Sequence, residues 1–434
     1  MLLQRLLTPY LRRTNQRLMS FAGAPTTTEL PAPPAEETYL LYLHIPFCEV
    51  LCPFCPFHRV EFQRSRAQRY FAALREEISR VSDLGYRFHE IYVGGGTPTV
   101  LPEELLATLE LARGLHPIGH VSVETNPDHL NDARLSDLKD AGVTRLSVGV
   151  QSFDDRLLRQ MDRYDKFGSG AAILRRLASV QGLFDTLNVD MIFNFPAQTP
   201  ASLQRDLEIL TDELEVEQVS FYPLMTANST RKTMSAQIGR VDFRREPRLY
   251  EQIAGYLTAA GYRHSSAWCF SRNAGMLDEY IVEQDEYLGL GSGAFSYLQG
   301  SLFATTFSIN HYVRLVEAGA TGIVRRRPMT DRDQMRYYLL TRLFGGTLDL
   351  EAAERRFAGR FQRTLWPEIM GLRLLRAVSR RRNQLHLQGR GYYLWVMMMR
   401  EFFIGVNNFR DEMRHHIARE TATLRAGRQP AEPE

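Results

Sequence analysis

The chain has 434 residues, 44% of them hydrophobic and 24% charged, with a formal net charge of +3. These are the proportions of a folded globular protein, and so small a charge makes nucleic acid an unexpected partner. The length exceeds one ordinary core, so a main domain of roughly 200 residues or more and a smaller one are expected. No apolar run reaches the roughly 18 residues of a membrane span. Only four cysteines occur, three of them in one loop, which excludes a disulfide-stapled secreted scaffold and points to a reducing cytoplasm.

Along the chain, Leu2, Leu3, Leu6, Leu7, Tyr10 and Leu11 recur at helical spacing with Arg5, Arg12 and Arg13 between them. The pattern predicts an amphipathic helix packed on the body of the protein, with Pro9 kinking or starting it, and a membrane-surface role as the alternative. Residues 22–38, rich in Ala, Pro and Thr, read as a linker, so 1–38 stand apart from the main domain. Strand-like runs at 39–44, 90–93, 121–124, 145–150, 187–192 and 219–222 then alternate with helical patterns. Six such units over 39–235 predict an α/β fold: parallel strands need covered crossovers, so a curved, partial (β/α)6 barrel is expected. Chemistry in such barrels collects at the carboxyl ends of strands.

Residues 236–310 read as a linking segment that completes the active site and holds Gly289-Leu-Gly291-Ser-Gly293-Ala294. Residues 311–424 read as a smaller, mostly helical domain with a β-ribbon, resembling a winged helix, and 425–434 as a disordered tail. Arg373, Arg376, Arg380, Arg381 and Arg382 form a basic cluster, read as a solvated face or, in the minority case, a site for an anionic ligand. Met397, Met398 and Met399, with Phe402 and Phe403, suit a core or an apolar lid over a flat ligand.

Chemistry is carried by three motifs that this topology brings to one rim. Cys48, Cys52 and Cys55, spaced C-x3-C-x2-C after the first strand, can hold three irons of a four-iron cluster and leave the fourth open to a ligand. Zinc completed by His58 is the competing reading, since thiolates suit both metals. Gly94-Gly95-Gly96-Thr97-Pro98 follows the second strand and either exposes backbone N–H groups or makes only a tight turn. Glu124, Gln151 and Asp190 stand at or near three other strand ends, where each could bind a ligand or serve the scaffold; an acid among the apolar residues around Asp190 needs a partner. Cys269 reads as a buried thiol, or as a group that quenches a substrate radical.

Together the cysteine loop and the glycine run resemble the radical S-adenosylmethionine (SAM) superfamily. The phrases Tyr42-Leu-His44-Ile-Pro46-Phe47-Cys48, Ser147-Val-Gly149-Val-Gln151-Ser152-Phe153 and Gly289-Leu-Gly-Ser-Gly293-Ala294 narrow the resemblance to the oxygen-independent coproporphyrinogen oxidase (HemN-like) family over 39–300, more faintly to 403. The resemblance implies a [4Fe-4S] cluster on the three cysteines, two SAM molecules and reductive SAM cleavage to a 5′-deoxyadenosyl radical. It implies catalytic roles for Tyr42 and Glu124, and SAM contacts from Tyr42, Gly95, Gly96, Thr97, Glu124, Gln151, Arg163, Asp190, Gly291, Gly293 and Ala294. A reductant protein such as flavodoxin or ferredoxin is the implied partner, and a tetrapyrrole a candidate substrate.

Two departures bear on the reaction. Coproporphyrinogen enzymes of the family carry a further cysteine two positions after the third, where this chain has Phe57; its haem chaperones carry a His-Asn-x-x-Tyr-Trp stretch, where this chain has Met276-Leu-Asp-Glu-Tyr280-Ile. The expectation is therefore C-methylation or a related alkylation by a second SAM. Radical decarboxylation of a porphyrin precursor and non-catalytic haem carriage are the alternatives.

Overall fold

A computed structural model of the chain describes residues 29–225, 231–273 and 285–425. The amphipathic segment expected over 1–21, the phrase at 276–281 and the tail beyond 425 lie outside the described residues.

Strand β1 (Tyr39–Ile45) is buried at all seven positions, as a strand covered on both faces must be. β2 (Phe88–Gly95), β3 (His120–Thr125), β4 (Arg145–Gln151), β5 (Thr186–Phe193) and β6 (Gln218–Pro223) follow it in parallel, each pairing with its predecessor. The connections are helical. Helix α1 (Arg64–Asp83) lays Ala67, Tyr70, Phe71, Leu74, Ile78 and Val81 on one buried face, the three- and four-residue spacing of an amphipathic helix on a sheet. α2 (Pro102–Leu115), α3 (Asp132–Asp140), α4 (Gly170–Ala178) and α5 (Pro200–Glu208) serve the later crossovers.

The sheet does not stop at six strands. β7 (Arg263–His264) and β8 (Cys269–Ser271) extend it antiparallel beyond β6. On the other side β9 (Tyr287–Leu290) pairs parallel with β1, and β10 (Phe295–Leu298), β11 (Ser301–Thr305) and β12 (Ile323–Pro328) continue antiparallel. The order β12-β11-β10-β9-β1-β2-β3-β4-β5-β6-β8-β7 makes one twelve-stranded sheet with seven parallel strands at its centre, a partial barrel whose two edges do not meet. Part of the stretch expected to be a linking segment thus joins the sheet. Its strands are short and lack the βα rhythm, because hairpin neighbours need no helix between them.

After helix α6 (Glu246–Ala259), the carboxyl-terminal region holds α7 (Asp331–Phe344), a three-stranded sheet of β13 (Thr347–Asp349), β14 (Val378–Arg381) and β15 (Gln384–Leu387) in the order β13-β15-β14, and the long helix α8 (Arg390–Arg425). Trp395 of α8 donates its Nε1–H to Leu340 O at 2.9 Å. The buried Arg400 pairs with Glu246 of α6 and with Glu401. The Tyr392 ring stacks on His264 at 3.8 Å between centroids. These three contacts fix α8 across the barrel mouth.

Candidate active site

Because β1 to β6 run in one direction, their carboxyl ends share a rim, and a cavity of about 1800 Å³, counting its open mouth, lies there. Cys48, Cys52 and Cys55, Tyr42, Gly95, Gly96, Thr97, Glu124, Gln151, Arg163, Asp190 and Gly293 all line it.

The cysteine loop leaves β1 and is closed by its own backbone. Phe47–Cys48 forms a two-residue parallel ladder with Val60–Glu61, and Val60 N–H donates to Pro46 O at 2.7 Å and Phe62 N–H to Cys48 O at 2.9 Å. Arg59 reaches back into the loop, donating to Cys52 O and, at 3.0 Å, to Cys55 O. Burial pushes the Cys48 thiol up to about 12, with Cys55 and Cys52 adding to the cost of ionising it. Cys48 therefore needs a cation to hold it as a thiolate.

Two donors already face the sulfurs: Thr97 Oγ1 lies 3.6 Å from Cys48 Sγ and Arg163 Nη1 3.6 Å from Cys52 Sγ. Among the described residues, these cysteines do not bring three ligand atoms, with or without His58, within 4.8 Å of one another. Ligands of a single zinc sit only about 3.8 Å apart, given bonds of about 2.3 Å in a tetrahedron. The His58 ring is engaged elsewhere, its Nε2 3.2 Å from Ser292 Oγ. That arrangement counts against a single zinc ion on these residues.

The glycine run is explained chiefly by close packing. A Cβ on Gly96 would lie 2.6 Å from Phe47 O, and one on Gly95, whose φ is +117°, 2.8 Å from the His44 ring. Gly96 N–H and Thr97 N–H donate to Ile45 O and Phe47 O at 2.7 and 2.8 Å, and Gly95 N–H donates to Glu124 Oε2 at 3.1 Å. The expected exposed N–H groups are thus already used.

Glu124 also accepts from Tyr92 OH at 3.0 Å, while burial raises its pKa. Gln151 stands at a break in the β4–β5 register with φ +75°, a conformation that disfavours side chains. Asp190 accepts from Ser147 Oγ at 2.8 Å and Asn188 Nδ2 at 2.7 Å. Arg163 donates to Gly149 O and, at 3.3 Å, to Asn126 Oδ1. Among the described residues its Nε–H is buried without a partner.

Two expected residues fall outside this cavity. Gly291 N–H donates to the buried Glu77 Oε2 of α1 at 3.1 Å, next to Ser292 N–H on Tyr70 OH at 2.8 Å, and Ala294 is fully buried. Helix α1 holds that turn, leaving Gly293 alone of the three at the cavity wall. Cys269 is likewise core, though its neighbour Trp268 lines the cavity. The methionine run packs into the core, and the lid face comes a turn later, at Phe403, Val406, Asn407 and Arg410.

Sequence reasoning missed three supports. His44 Nε2 lies 3.0 Å from His58 O, which can only accept, so Nε2 carries the proton and Nδ1 accepts from Tyr42 OH at 2.9 Å. Asp206 of α5 accepts from Ser152 Oγ at 2.9 Å and Phe153 N–H at 2.8 Å, anchoring the phrase after Gln151, and burial pushes its carboxyl up to about 7. Arg410 donates to Pro56 O, tying α8 to the cysteine loop. His44 was visible inside its phrase; Asp206 and Arg410 carried no local signal.

Comparison with known proteins agrees with this geometry. The model of the radical SAM superfamily matches residues 42–210. The heme chaperone HemW of Bacillus subtilis is 30% identical, over 75% of this chain and 87% of that protein. The chain belongs to the HemN-like family of radical SAM proteins. An oxygen-independent coproporphyrinogen III oxidase of Bradyrhizobium diazoefficiens is 29% identical over 71% of this chain and 74% of its own length. The solved coproporphyrinogen III oxidase HemN of Escherichia coli shares the fold, with a TM-score of 0.72 and 23% identity over 84% of this chain and 90% of that one. Membership in this HemN-like family brings a [4Fe-4S] cluster and SAM, and the cysteine loop has the donor set for the first.

Proposed function

We propose that this HemN-like protein splits SAM reductively at a cluster held by Cys48, Cys52 and Cys55 and directs the radical at a tetrapyrrole under the roof of α8. The observation that carries the reading is that the cysteine loop, Glu124, Arg163 and the aromatic wall of Trp268 and Phe403 line one cavity. The cluster, when bound, supplies the electron that breaks a carbon–sulfur bond of SAM.

The chain's own groups do the rest. Arg59 and Arg163 set positive charge beside the sulfurs, which favours the added electron. Arg163, with a buried N–H unused, suits the SAM carboxylate. Glu124 and Asp190, acceptors at two strand ends, suit ribose hydroxyls or an amino group, with Gln151 and Gly293 beside them. Tyr42, its hydroxyl proton given to His44, can act toward any further neighbour only as an acceptor. A reductant protein such as flavodoxin or ferredoxin would deliver the electron, and room for a second SAM belongs to the same proposal.

The relatives are named for haem carriage and coproporphyrinogen oxidation, so the methylation expected from the sequence gives way to the tetrapyrrole readings. Haem carriage without turnover is the second reading, favoured by the match to HemW along 87% of that protein. Anaerobic reconstitution with iron and sulfide, then SAM and a strong reductant, tests them together. Deoxyadenosine whose yield rises with an added porphyrinogen supports the enzyme; haem uptake with no deoxyadenosine supports the carrier. Equal amounts of S-adenosylhomocysteine would restore methyl transfer.

A further inference from the structure

Helix α8 turns Phe403, Val406, Asn407 and Arg410 toward the cavity, positions three, four and seven residues apart on one helix face. Trp268 joins that wall, its ring 5.8 Å from Phe403 and 5.2 Å from Tyr222 between centroids. Two side chains here are buried yet unsatisfied. Trp268 is 0% and Asn407 3% exposed, and among the described residues neither the indole Nε1–H nor the Asn407 Nδ2 amide has a hydrogen-bond partner. A buried donor left unpaired costs about 1–3 kcal/mol, and these two stand together in the lining of one cavity. Trp395 of the same helix shows the ordinary outcome, with its Nε1–H on a backbone carbonyl.

Nearby groups do not answer these donors. Arg410 is itself a donor, held by Pro56 O and Asp411. Glu124 and Asp190, carboxylates of the same cavity, are bonded to residues of the central strands. An indole N–H can only donate, so what meets it must bring an acceptor. The rings around it demand that the rest of the ligand be flat and apolar.

We infer that Trp268 Nε1 and Asn407 Nδ2 form the polar end of the substrate subsite, donating to a carboxylate or carbonyl oxygen on the rim of a flat ring system packed against Trp268 and Phe403. The inference deepens the proposed function and rests on its tetrapyrrole. It assigns substrate selection to the helical roof, while the cysteine rim serves SAM.

The test is a fluorescence titration of the reconstituted full chain with a free-base porphyrin bearing four carboxylates, and with its tetramethyl ester. Trp268→Phe keeps an aromatic ring without the donor, and Asn407→Leu keeps the volume without the amide. Each is expected to weaken porphyrin binding about five- to thirtyfold, the size of one hydrogen bond left unmade, while SAM affinity, measured on the same samples, stays at the wild-type value and marks the loss as local. A weaker ester identifies the acceptor as carboxylate; an equal one identifies a carbonyl. Wild-type porphyrin affinity in both variants, or no binding of either porphyrin by the wild type, overturns the inference. Variants that lose porphyrin in a protein that never cleaves SAM would leave the subsite standing and remove the radical reading instead.

Discussion

At the barrel rim, polar groups answer one another: Glu124 takes the N–H of Gly95 and the hydroxyl of Tyr92, Asp190 takes Ser147 and Asn188, and the glycine run is laced to the cysteine loop. The roof is built differently. It is pinned at its base by the buried Arg400–Glu246 pair and by aromatic stacking, and over the cavity it leaves donors unanswered. A rim whose carboxylates and glycine run are bonded among themselves, with the Arg163 Nε–H left open among the described residues, can hold its shape through a redox cycle, whereas the roof donors complete their bonding only with a ligand. On the proposed function, the difference would separate a SAM-binding base from a part that selects the second ligand.

The hardest blow to the rim is loss of a cysteine. Cys52→Ala is expected to abolish the electron paramagnetic resonance signal of the reduced cluster and any deoxyadenosine formation, while circular dichroism retains the barrel's signature. At the roof, Arg400→Ala leaves Glu246 buried without its cation and should cost about 3–5 kcal/mol, read by urea unfolding. Limited proteolysis should then cut α8 first, and iron content measured on the same variant should stay near wild type because the cysteine loop is closed by its own backbone; a fall in iron would show the damage passing through the Arg410–Pro56 hydrogen bond.

A finer division comes from Glu124→Gln, which keeps the shape but removes the charge. SAM affinity should fall about tenfold, as for a charge-assisted hydrogen bond made neutral, with porphyrin binding unchanged; equal losses of both ligands would erase the division. The smallest effect concerns the base of the roof. Burial lowers His264 to about 4 in the folded chain, beneath the stacked Tyr392 ring. Its folded pKa lies below the unfolded one, so the stability it contributes is complete above the ordinary value of about 6.5 and is lost as pH falls toward 4. His264→Phe should flatten the decline of melting temperature across that window by a few degrees, and an unchanged decline would place the acid sensitivity elsewhere.

The sequence alone determined the cysteine loop, the six parallel strands and the rim on which the motifs gather, because each is written in local spacing: three thiols in one loop, or the alternation of buried strands with amphipathic helices. The glycine run was legible as a motif, yet its reason was not, since the Phe47 carbonyl and the His44 ring that exclude a Cβ belong to another strand and its loop. Only the tertiary structure decided that β7 to β12 widen the sheet, that Glu77 and Tyr70 claim the turn at Gly291, that Asp206 anchors Ser152 and Phe153 after Gln151, and that α8 closes the cavity. Arg410 meets Pro56 across 354 positions of sequence, and no periodicity reports a hydrogen bond made at that distance. Partners of buried polar groups are chosen by proximity in space, and that is settled when the layers pack.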